Sequence, residues 1–110
     1  MIGSACWVVS KPLGVEASAL GIRTAWATHQ NGFETKLLFA EDGVWCLIGN
    51  PGYHTSMLED FLGQDGEVYC IRQSLELRGI DEDALIDGVE VIDESDVREL
   101  CDECETVSYF

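Results

Sequence analysis

Residues 5–9 read ACWVV, and this run decides the fold class. A strand with one wet face alternates apolar and polar residues. A near-continuous apolar run implies cover on both faces, the situation of a strand in a parallel sheet between helical layers. Pro12 and Gly14 break the run. Val15, Ala19, Ile22 and Trp26 then recur at helical spacing, which predicts an amphipathic helix with those residues on one face. Asn31-Gly32 is a helix-stop signal.

The same alternation continues along the chain. Residues 35–40 (TKLLFA) predict a second strand, and Glu41-Asp42-Gly43 turns into a short apolar segment from Val44 to Ile48. Asn50-Pro51-Gly52 is a turn signal. Residues 56–62 predict a short helix capped by Thr55 or Ser56. A third strand covers 67–71, and a short helical segment after it ends at Gly79. Residues 81–86 form an acidic helical turn, and 89–92 a fourth strand. Ser95 is placed to cap a last helix, with Asp96 and Glu99 near its N-terminal dipole. Residues 106–110 (TVSYF) form a fifth strand. Strands alternating with helices predict one α/β domain over 1–110, with three α/β/α layers and a mainly parallel sheet of about five strands. In such sheets, sites gather at the carboxyl ends of the strands.

Composition narrows the function. The net charge is −15, and the six Lys and Arg residues are scattered, so direct nucleic-acid binding is not expected. The acidic run from Asp81 to Glu105 reads as solvated surface or as a docking face for a basic partner. No apolar run approaches a membrane span. The N-terminal apolar stretch has no basic region before it, so a signal peptide is not expected. Five cysteines without a disulfide-type spacing suit a reducing cytoplasm. There is no glycine-rich phosphate loop and no histidine cluster, and no cofactor or metal is expected. His29 and His54 read as capping or surface residues.

Three longer runs carry a resemblance: GVEASALGIRTAWATHQNGFETKLLFAEDGVW, VYCIRQSLELRGI and GVEVIDESDVRELCDECETVSYF. Their order and spacing resemble the DsrE/DsrF/TusC-like family, and most of all its DsrF/TusC branch. The specific elements are the Asp42-Gly43-Val44 turn, the segment from Ser74-Leu75 to Arg78-Gly79, and the terminal strand ending in Phe110. The resemblance implies a flavodoxin-like fold and sulfur relay, in which persulfide sulfur passes between cysteines, for tRNA 2-thiolation or sulfur metabolism. It implies partners too: DsrE/DsrH- or TusB/TusD-like subunits, or copies of the same chain, with sulfur donor and acceptor proteins. In the DsrE/TusD branch the persulfide cysteine lies eight residues before the Gly of the Arg-Gly pair. That position here is Ile71, and Cys70 lies nine before Gly79. The DsrF/TusC branch often lacks the active cysteine and serves the assembly.

A persulfide carrier needs an accessible thiolate, favoured by nearby cations or a helix start. Cys70 meets these needs in sequence: it sits near a strand end, with Arg72 beside it and Arg78 close by. Cys70 is therefore the candidate sulfur carrier, and Arg72 and Arg78 its candidate electrostatic helpers. The competing reading makes it a strand filler sharing one face with Val68. Cys101 and Cys104 form a CxxC, which suits a redox pair or half a zinc site. Yet Val97, Leu100, Cys101 and Cys104 also follow the core stripe of a helix. Cys6 reads as buried, and Cys46 as a second-rank carrier. Trp45, Tyr53, Met57 and Phe61 are candidates for an exposed assembly face.

Overall fold

The computed structural model describes residues 3–12, 16–48 and 53–110, and of residues 53 and 54 only the backbone. Five strands form one sheet: β1 (Ser4–Val9), β2 (Glu34–Phe39), β3 (Glu67–Ile71), β4 (Val89–Ile92) and β5 (Thr106–Tyr109). Their order is β4-β3-β2-β1-β5, and every pairing is parallel. The apolar run at 5–9 thus lies in β1, between β2 and β5.

Among the described residues, four α-helices connect the strands: α1 (Glu16–Gln30), α2 (Tyr53–Gly63), α3 (Arg72–Leu77) and α4 (Val97–Asp102). A 3-10 helix, Glu41–Leu47, precedes α2. From β1 to β4 the chain steps across the sheet in one direction, and right-handed crossovers keep those connections on one face. The return from β4 to β5 runs the other way, which puts α4 on the opposite face. The cores follow. On the first face, Ile22, Val44, Leu47, Leu58, Phe61 and Leu75 pack on Val9, Leu37, Phe39, Val68 and Cys70. On the second, Leu100 packs with Cys6, Val8, Leu38 and Tyr69. The three-layer α/β/α architecture is as the sequence predicts.

Some local expectations are corrected. Helix α2 begins at Tyr53, so Thr55 and Ser56 lie inside it and do not cap it. Ser95 lies inside a 3-10 turn, Glu94–Asp96, ahead of α4, and no side chain caps α4. The buried face of α1 is centred on Ser18, Gly21, Ile22 and Ala25. The small residues Ser18, Gly21 and Ala25 bring the helix close to β1. Trp26 sits beside that face, where its indole N–H donates to Asp60 at 2.7 Å. Phe61 belongs to the core and not to an outer face. Gly14, Val15 and the Asn50-Pro51-Gly52 turn lie outside the described residues, as do the side chains of Tyr53 and His54.

Candidate functional site

Two contacts join the 3-10 helix to the α3 segment at the carboxyl edge of the sheet, and a third braces that segment internally. Ser74 Oγ accepts from the Glu41 N–H at 3.0 Å. Arg78 Nε donates to Asp42 Oδ1 at 2.9 Å, and its Nη1 donates to the Ser74 carbonyl at 3.1 Å. Helix α3 ends at Leu77, and Gly79 just beyond it has a φ of 64°, one that side chains disfavour. The Asp42-Gly43-Val44 and Ser74-to-Gly79 segments, distant in sequence, therefore form one joint beside the end of β3.

Cys70 lies directly beneath this joint. Its register partners are Phe39 on β2 and Val91 on β4, so its side chain shares the helix-rich face with Val68. It is 0 % exposed. Burial pushes its thiol up to about 12, Glu82 adds to that, and Arg72 pulls the other way. The arginines are engaged elsewhere: Arg72 pairs with Asp93 at 2.5 Å, and Arg78 with Asp42. Cys46 is also buried, and burial pushes it up to about 11.

Cys101 and Cys104 are part-exposed and pack against the core of the second face; Cys101 does so from α4, as the helical stripe predicts, whereas Cys104 lies in the turn past the end of α4. Fully buried Cys6 joins them from β1. The period-two pattern of β1 puts Cys6 and Val8 on one face, but nothing in the sequence aligns that face with α4. Among the described residues, no group of three or more His, Cys, Asp and Glu is placed to hold a metal ion. His29 is half-buried: its Nε2 donates to the Gln64 carbonyl, and its ring meets Phe61 edge-on at 5.3 Å.

A thiol-directed disulfide reagent should therefore label Cys101 and Cys104 in the native protein and spare Cys6, Cys46 and Cys70. At pH 8, a thiol near 12 is a thiolate in about one molecule in 10⁴, before steric shielding is counted. Peptide mapping after brief labelling checks this. Labelling of Cys70 at a rate like that of Cys104 contradicts its burial.

An acidic cleft of about 390 Å³ opens between α4 and β4, lined by Glu90, Asp93, Asp96, Glu99 and Glu103 with Arg72 at one end. Trp45 and Leu77 project from the 3-10 helix and α3, 42 % and 84 % exposed. Among the described residues, no helix is long and apolar enough to cross a membrane.

The geometry can be set beside known proteins. An uncharacterised protein of Methanopyrus kandleri is 28% identical over 106 residues, covering 90% of this chain and 86% of its own. The solved ychN protein from E. coli superposes with a TM-score of 0.85 at 24% identity, covering all of both chains. MTH1491 from Methanobacterium thermoautotrophicum, a protein of unknown function, superposes at 0.77 with 18% identity, covering 97% of this chain and 96% of its own. These two likenesses show the shared fold. The family model for the DsrE/DsrF-like family matches residues 4–110. The chain belongs to the DsrE/DsrF-like family, and that membership supports a role of the sulfur-relay type.

Proposed function

We propose that the protein serves persulfide sulfur relay in a reducing cytoplasm as a docking subunit, assembled with DsrE/DsrH- or TusB/TusD-like chains or with copies of itself. The observation that carries this reading is the burial of Cys70. The strand register turns its sulfur into the core, and Ile71 holds the position at which the DsrE/TusD branch carries its persulfide cysteine. A thiol so placed offers no thiolate to a donor protein. The exposed apolar side chains of Trp45 and Leu77, beside the Arg78–Asp42 joint, supply surface for a related subunit. The acidic cleft suits a partner with basic side chains.

A second reading makes Cys70 the carrier, with Arg72 and Arg78 as helpers. Its support is position: only Ile71 separates Cys70 from the start of α3, and Arg72 favours its thiolate. Here docking would have to lift α3 from the sheet. One experiment separates the two. The chain is offered persulfide sulfur by a cysteine desulfurase, alone and with related subunits, and each cysteine is mapped by mass. The docking reading expects a stable complex with no sulfur on Cys70. A one-sulfur adduct on Cys70, appearing with the partner and lost in Cys70→Ala, establishes the carrier instead. No complex and no adduct on any cysteine defeats both.

A further inference from the structure

The thiols on the second face form a separate arrangement. Cys6 faces α4 from β1 and packs in one cluster with Cys101 and Cys104. A turn folds Cys104 back, its N–H donating to the Cys101 carbonyl at 3.1 Å. The register partner of Cys6 on β2 is Lys36, a buried lysine on the same face, whose ammonium is bonded to Glu103 at 2.5 Å. Cys101 also lines an open groove of about 510 Å³ with Ile71, Val97, Arg98 and Tyr109. This is a three-thiol cluster with a buried cation behind it and a groove in front. A helical stripe alone requires none of the last three features.

We propose that Cys101 and Cys104, backed by Cys6, form a dithiol site that takes sulfane sulfur from a persulfide entering the groove and releases it as sulfide. The inference rests on the sulfur-relay reading but not on the role of Cys70. In the first step the Cys101 thiolate attacks the outer sulfur of a persulfide, R–S–SH. A Cys101 persulfide forms, and the donor leaves as its thiol. In the second step the Cys104 thiolate attacks Cys101 Sγ, closing the disulfide between them and expelling hydrosulfide. In sum, one persulfide and two thiols give one donor thiol, one disulfide and one hydrogen sulfide. The sulfane sulfur is reduced and the two cysteines are oxidised. Burial raises the Cys104 thiol, and Cys101 and Glu34 add to that, while Lys36 and the hydrogen bond from Cys6 oppose the rise without cancelling it. Cys6, buried on β1, holds the pair in position and does not meet the donor.

The test uses the full chain, reduced and kept free of oxygen, with glutathione persulfide as the probe. The expected result is one sulfide released per chain and a Cys101–Cys104 disulfide in the unreduced peptide map. Cys104→Ser should stop after the first step, with a one-sulfur adduct retained on Cys101. Cys101→Ser should lose the adduct and lower sulfide release by about tenfold or more. Both positions are part-exposed, so both variants should fold. Sulfide release by Cys101→Ser at the wild-type rate overturns the proposal, as does an adduct confined to another cysteine. An adduct on Cys70 with unchanged α4 thiols removes this site yet leaves sulfur relay standing. Failure of every cysteine to react, together with failure to bind related subunits, removes both.

Discussion

Raising the pH from about 9 toward 11 should destabilise this protein steeply, by about 1.4 kcal/mol per pH unit for each thiol that stays protonated only in the fold. The unfolded thiols titrate near 9.0, whereas burial pushes Cys46 up to about 11 and Cys70 up to about 12. Burial raises Cys6 further still, with Cys101 and Cys104 adding to the shift. Between the unfolded and folded values the native state holds more protons than the unfolded chain, so stability falls as pH rises. The contribution is whole below about pH 9, and it is spent once the pH passes the folded values. Three fully buried thiols acting together remove up to about 4 kcal/mol per pH unit, against a total stability on the order of 5–15 kcal/mol. Tyr69, raised by burial and by its bond to Glu67, adds to the loss above pH 10. Urea unfolding across a pH series measures the slope. Replacing both Cys46 and Cys70 with Ala should remove about two-thirds of the thiol contribution. A flat profile from pH 8.5 to 11 contradicts the burial of these thiols.

Gly43→Ala should be among the most damaging single substitutions, costing about 3 kcal/mol or more. A Cβ at this position would lie 2.1 Å from the Val9 carbonyl oxygen and 2.8 Å from its carbon. Both are backbone atoms of β1, so no side-chain rotation relieves the overlap. The Val9 carbonyl also accepts the Ala40 N–H at 3.0 Å, and Gly43 N–H donates to the Ala40 carbonyl at 2.9 Å. Moving the 3-10 helix away would therefore strain the β2 exit and the Arg78–Asp42 joint together. The expected readout is a lower urea midpoint at an unchanged m-value, with a fall in Tm on the order of 10 °C or more. The damage centres on the carboxyl edge, so a Gly43→Ala chain should also bind related subunits less well. A loss below about 1 kcal/mol shows that the close approach of Gly43 to β1 is looser than described.

Much of the fold is legible in short runs because apolar periodicity reports local cover. ACWVV has no polar position and lies inside a sheet covered on both faces. EVYCI and VEVI mark β3 and β4 at their observed bounds. Helix entries are less legible. Ser95 looks like a cap but lies within a 3-10 turn whose first N–H, that of Glu94, donates to the Gln73 side chain at 2.9 Å, while Asp96 N–H donates to the Asp93 carbonyl at 2.9 Å. The α1 stripe is misplaced because Trp26 is apolar in composition yet uses its indole N–H at the edge of the interface.

The candidate site divides the same way. Strand periodicity alone sets Cys70 on the side of Val68, and helical periodicity alone sets Cys101 inward, whereas Cys104 is brought in by the turn after α4. Neither says what lies opposite. That depends on strand order and on the face each crossover takes, which are properties of the whole sheet. The order β4-β3-β2-β1-β5 puts Cys70 under the helix-rich layer, where its sulfur is sealed. The reversed crossover into β5 carries α4 to the other face, where Cys6 and Lys36 wait on neighbouring strands. The sequence by itself determined the α/β class, the shared side of Cys70 and Val68 on their strand, and the inward side of Cys101 on its helix. Only the tertiary structure decided which thiols are sealed and which three meet, because a side chain's neighbours across layers are fixed by topology and not by local spacing.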